Sequence, residues 1–261
     1  MMLSNLTAIA RKEFQTYFTS PFAYIIAAIF WLISGFFFGA ILDQIVQTIT
    51  FLEQSGQLSS DVDVPAQFLN DFLGVMISLL LVLLPALSMG LYAEERKRGT
   101  LELLATSPVT NWVVAVGKLL GVVSFFIILI IPIWIYEIII FSGTNPPVNL
   151  QILALAHVSL ILIATAILSL GMFISSLTDS GILAYILTFV LVLFLWIMDT
   201  VAQNLQEPFR SILSHLSLFD HYTDLVKGVV NPSSLVLFAS YIFLGIFLTA
   251  QSIESLRYQR S

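Results

Sequence analysis

Long uncharged runs recur six times along the chain: Phe22–Leu42, Phe72–Ala93, Leu119–Tyr136, Leu150–Thr178, Ser180–Met198 and Gly228–Ile253. Each approaches or exceeds the roughly 20 apolar residues that a helix needs to cross a bilayer. The third is short unless it runs past Glu137 to about Phe141, and the fourth and sixth are long enough to tilt or kink. The pattern predicts an all-α integral membrane protein with six spans. Ahead of the first run, Leu3, Leu6, Ala10, Phe14 and Tyr17 recur at helical spacing, with Arg11, Lys12 and Glu13 off that face. This predicts an amphipathic helix over residues 1–20 lying in the membrane interface, turned into the first span by Ser20-Pro21. Between the last two runs, residues 199–231 place Phe209, Ile212, Leu213 and Leu216 on one face, and Leu225, Val226 and Val229 repeat the spacing. Unstructured loops of this length are uncommon, so two short helices on the outer face are expected there.

Composition agrees: 58% of residues are hydrophobic and 10% charged, against about 25% charged in soluble domains. The first apolar run follows a polar-studded segment without a small-residue cleavage site, so it reads as a retained helix. Without cysteine there is no disulfide framework and no thiolate metal site. Six spans put both termini on one side, together with Arg11, Lys12, Arg96, Lys97, Arg98, Lys118, Arg257 and Arg260, while Arg210 and Lys227 lie opposite. That asymmetry predicts cytoplasmic termini and residence in the inner, cytoplasmic membrane. The first outer loop, Asp43 to Asp71, carries five acids and no Lys or Arg, in agreement. The whole of residues 1–261 reads as one membrane domain.

Catalytic chemistry has little to stand on. No G-x-x-x-x-G-K-[ST] loop occurs, so the chain cannot hydrolyse a nucleotide by that mechanism. His157, His215 and His221 are not spaced as a metal site, no G-x-S-x-G elbow appears, and nothing points to nucleic acid. No charged pair shows deep in a span as a proton relay requires. Glu137, toward the outer end of span three, reads as a structural carboxylate, and His157 as an interhelical hydrogen-bond partner. Gly35 with Gly39, and Gly117 with Gly121, are small-residue pairs suited to close helix packing within one subunit.

One stretch combines charge with helix-breaking residues: "EERKRGTLELLATSPV", residues 94–109. Arg96, Lys97 and Arg98 suit the negative C-terminal end of a helix. Glu94 and Arg98 stand in the favourable order for an i,i+4 pair. Gly99 suits the left-handed residue that ends the helix, and Thr100 can cap the next. The short helix that follows carries Leu101, Glu102, Leu103 and Leu104, and ends at Ser107-Pro108. By itself this is either an ordinary charged loop or a knob presented to a partner.

The stretch resembles the cytoplasmic loop of ABC-2-type permeases, the membrane subunits of ABC exporters. "LGMFISSLTDSGILAY" (170–185) and "LSLFDHYTDLVKGVV" (216–230) resemble further parts of that family, the latter its gliding-motility and copper-centre-maturation branch. The resemblance implies that Thr100–Ser107 is a coupling helix seated in a separate ATPase, with Glu94–Gly99 as its charged collar and the N-terminal helix as a second contact. It implies no cofactor in this chain, ATP and Mg held by the partner, and a second permease copy, identical or closely related. It also implies a path between permeases along spans two and five, where Ser78, Ser88, Thr188 and Phe189 lie. The absence of charge there favours a lipid-like or amphipathic cargo. The same apolar spans also suit a membrane scaffold that transmits ATPase-driven motion and conducts nothing. An autonomous ion-coupled carrier is disfavoured, because no acid–base chain shows in the spans.

Overall fold

The computed structural model describes residues 2–56, 63–101, 109–144, 148, 150–202 and 204–258. Glu102, Leu103, Leu104, Ser107 and Pro108 lie outside the described residues, as does part of the first outer loop. Six helical stretches are long and apolar enough to cross a membrane: Pro21–Gln54, Val64–Lys97, Asn111–Phe141, Leu150–Leu177, Gly181–Met198 and Pro232–Ser255. All the described regular structure is helical.

Span one is helix α2 (Pro21–Gln54), preceded by α1 (Met2–Thr19). Ser20 is extended and Pro21 opens the helix, where its missing N–H costs nothing. At 34 residues, α2 is about 50 Å long and exceeds the hydrocarbon thickness. It therefore continues past the apolar run, through Asp43 and Glu53, because polar residues outside the bilayer do not end a helix. Its exposed Ile25, Ile29, Leu32 and Phe36 recur at helical spacing, a stripe suited to lipid.

Span two is α3 (Val64–Ser88) followed by α4 (Gly90–Lys97). Asp63 caps α3 by accepting from the Ala66 N–H at 3.0 Å. Pro85 sits inside α3, which ends three residues later. Span three is α5 (Asn111–Leu129) and α6 (Ile131–Phe141), broken beside Pro132. The Trp31 indole N–H of span one donates to the Leu129 carbonyl freed at that break, at 2.9 Å.

Span four, α7 (Leu150–Leu177), is the central helix. It packs on α3, α4, α5, span five α8 (Gly181–Ala202), the short α10 (Leu218–Val226) and span six α11 (Pro232–Tyr258). A Cβ on Gly245 would meet the Ser169 backbone at 2.5 Å, so only glycine allows α11 to cross span four this closely.

Between spans five and six lie α9 (Phe209–Leu216) and α10, each too short to span. Helix α10 is capped by Ser217, whose hydroxyl accepts from the Asp220 N–H, and it buries Leu218, Phe219, Tyr222, Leu225 and Val226. Burial raises the Tyr222 phenol above its ordinary range, aided by the Glu137 carboxylate, and it stays a donor to the Leu73 carbonyl. The expected face differs at two points: Val229 lies beyond the helix, and Phe209 and Leu216 of α9 are exposed.

Candidate functional site

The chemistry concentrates where α1, the end of span two and the start of span three converge. The break in span two frees backbone groups around Met89, and three side chains from other elements take up these and the groups just beyond. The Ser175 hydroxyl donates to the Met89 carbonyl at 2.7 Å and accepts from the Tyr92 and Ala93 N–H groups at 3.1 and 3.0 Å. The Tyr17 phenol of α1 donates to the Leu87 carbonyl at 2.7 Å. Burial, then the neighbouring Glu13 and Glu94 carboxylates, raises that phenol well above its ordinary value and keeps it a donor. Lys118 Nζ donates to the Leu91 carbonyl at 2.7 Å. Just beyond, the Arg96 guanidinium donates to the Ser176 carbonyl at 2.8 Å. Helix α4, which leads into residues 98–101, is thus tied to α1, span three and span four together.

Lys118 is 2% exposed. Its ammonium meets Glu13 and Glu95, each at 3.0 Å, and lies 4.9 Å from the Tyr92 ring centroid. Lys12 reaches the same Glu95 oxygen at 3.3 Å from the exposed side. Two cations and two carboxylates leave the cluster neutral, which is how buried charges are tolerated. The expectation that Glu13 belongs to the polar face of the N-terminal helix is corrected: it is the buried residue of α1, turned inward onto Lys118. Helix α1 lies close because span three offers glycine beneath it. A Cβ on Gly121 would meet the Glu13 Cβ at 2.6 Å, and one on Gly117 would meet Ile9 at 2.8 Å.

The loop begins as its residue types suggest. Glu94 and Arg98 pair at 3.3 Å on an exposed face, and Gly99 takes φ 71°. Thr100 is already helical and its hydroxyl donates back to the Glu95 carbonyl at 3.2 Å, so it closes the preceding helix. Leu101 is 3% exposed and packs in the hydrophobic core. Lys97 is exposed, while Arg96 is committed to Ser176.

The remaining predicted site residues lie apart. Ser88 and Thr188 are wholly buried, and they meet at Gly171, where a Cβ would collide with both. They fill a crossing of spans two, four and five. Ser78 is exposed and donates to the Gly74 carbonyl; Phe189 is half-buried and stacks on Tyr185. Gly35 faces the Tyr136 hydroxyl, whereas a Cβ on Gly39 would meet nothing within 4 Å.

A second buried pair lies far from this cluster, between spans three and four. Glu137 of α6, 1% exposed, approaches His157 Nε2 of span four at 3.2 Å. The approach is not aligned as a hydrogen bond. The expected interhelical hydrogen bond of His157 is corrected: its Nδ1–H donates within its own helix, to the Leu153 carbonyl at 2.9 Å, which leaves Nε2 facing the acid. The two residues sit on different helices, so spacing within one helix gave no sign of them. Ser175 was equally silent, being a serine at a helix end like many others.

Residues 7–254 match the sequence profile of the family described as "ABC-2 family transporter protein". Two curated relatives, from Escherichia coli strain K12 and from E. coli O157:H7, are each described as "Probable multidrug ABC transporter permease YbhR". Each is 28% identical over 144 residues, covering 52% of this chain and 37% of the relative. The chain thus matches little more than a third of the length of these relatives.

Proposed function

The chain belongs to the ABC-2 family of transporter proteins, and from that premise we propose that it is the permease subunit of an ATP-binding cassette exporter. A separate nucleotide-binding subunit hydrolyses ATP, and the stretch Thr100–Ser107 is its seat, with the exposed Lys97 at its charged rim. Both termini face the cytoplasm, and a second permease copy completes the membrane unit. The cargo is lipid-like or amphipathic, in keeping with the uncharged runs Phe72–Ala93 and Ser180–Met198 of spans two and five.

The observation that carries this reading is the anchorage of α4. A surface loop needs no buried ion cluster at its root. Here Ser175, Lys118 and Arg96 fix the root of the loop to spans three and four and, through Glu13, to α1. A displacement imposed on the loop therefore reaches the Pro85–Met89 break in span two and the end of span four as one movement. Loop, break and span four form a short mechanical train between a partner and the bundle.

The test is purification of the tagged chain from its native membrane, read by co-purifying Mg2+-ATP hydrolysis in lipid. Wild type should bring an ATPase with it. Leu104→Asp places a carboxylate on the expected contact, where desolvation costs several kcal/mol, and should lose the ATPase while inserting normally. Equal ATPase recovery with both chains would sink the assignment of this stretch.

A further inference from the structure

Two connected hollows, of about 420 and 500 Å³, flank the break in span two and share Glu13, Thr16, Gly90, Glu94 and Arg98 as walls. Together they form one trough between α1, the first turns of span one and the last turns of span two. Its lining is sorted by chemistry. Phe22, Ile26 and Ala86 supply apolar wall at the span side. Thr16, Thr19 and Ser20 supply hydroxyls where α1 meets span one, and the Ser20 side chain makes no capping bond. Glu94 and Arg98 supply charge at the outer lip.

The walls are the ends of two spans and a helix suited to the interface. With α1 in the interface, a trough at that height lies within reach of bilayer lipid. The charges select the occupant. Glu13 is committed to Lys118, and Glu95 to Lys118 and Lys12. That leaves Glu94 and Arg98, whose mutual contact is solvent-exposed and easily opened. An anionic headgroup would satisfy Arg98 and be repelled by Glu94, and a cationic one the reverse. A zwitterion satisfies both. A primary ammonium also donates hydrogen bonds to a carboxylate, which a quaternary ammonium cannot.

We infer that this trough binds one phospholipid of the ethanolamine class, with its phosphate at Arg98 and the Ser20 hydroxyl, its ammonium at Glu94, and an acyl chain along Phe22, Ile26 and Ala86. The lipid then lies against the break in span two and fills the space into which that break would move.

The experiment reads lipid retention by native mass spectrometry of the purified chain, incubated with dihexanoyl phosphatidylethanolamine, phosphatidylcholine or phosphatidylglycerol at equal concentration. One ethanolamine lipid per chain should be retained, at about tenfold higher occupancy than either alternative. Arg98→Gln and Glu94→Gln, both on the exposed face of the trough's lip, should each erase that preference. Occupancy that ignores headgroup, a preference for the glycerol lipid, or an ethanolamine preference untouched by both substitutions would each overturn the assignment. The readout is independent of any ATPase, so it fails or succeeds separately from the exporter reading.

Discussion

Ser175 and Met89 are 86 residues apart, yet the hydroxyl of one closes the helix break at the other, at 2.7 Å. The same oxygen receives the two N–H groups that follow the break. One small side chain thus replaces three backbone partners at the point where span two changes direction.

Ser175→Ala keeps the volume and removes all three bonds. Leaving buried donors and an acceptor unpaired costs about 1–3 kcal/mol. The expected outcome is a lower melting temperature of the purified chain, with Ser240→Ala, at an exposed serine, as a near-neutral control. An unshifted melt would mean that the break is held by other contacts.

Lys118→Met strands Glu13 and part of the charge on Glu95 in a buried site. Breaking such a pair costs about 3–5 kcal/mol. Adding Glu13→Gln should recover a measurable part of that loss, and a double-mutant cycle on melting temperature reads the coupling directly. Strict additivity of the two substitutions would contradict the ion pair.

The four glycines that look alike in sequence should behave differently. Gly121→Ala pushes a methyl against the Glu13 Cβ and the Ala10 carbonyl at 3.0 Å, whereas Gly39→Ala meets open space. Limited proteolysis should show α1 released by the first substitution and unaffected by the second. Equal behaviour would place α1 elsewhere.

Topology is testable on a chain that has no cysteine of its own. Gln54→Cys should react with an impermeant maleimide from the outer side of intact cells, and Lys97→Cys only after the membrane is opened. The reverse pattern would invert the orientation.

The six spans were legible because an uncharged run of bilayer length is too apolar to sit anywhere but in lipid or a deep core, and six such runs exceed what one small core can bury. Their ends were not, since helix α2 continues through Asp43 and Glu53, and α5 takes in Lys118 before the apolar run begins. A charge inside a helix reads as a boundary until its partners are known. Those of Lys118 come from Glu13 and Glu95, on two other helices. The loop at 94–101 was legible in its punctuation, with Gly99 at positive φ. The inward turn of Leu101 was not, because a leucine just past a helix end does not say whether its own core takes it. The family was legible from three separated stretches, each weak alone.

The docking of α1 onto Gly117, Gly121 and Lys118 also sets a timetable. Glu13 leaves the ribosome 105 residues ahead of its counter-ion, an interval of about 5–20 s at ordinary rates of synthesis. Throughout that time spans one and two are being delivered to the membrane while the N-terminal helix cannot take its final seat. Helix α1 is made before spans one and two, yet its buried acid waits for span three, and fastening it neutralises the lysine that span three carries.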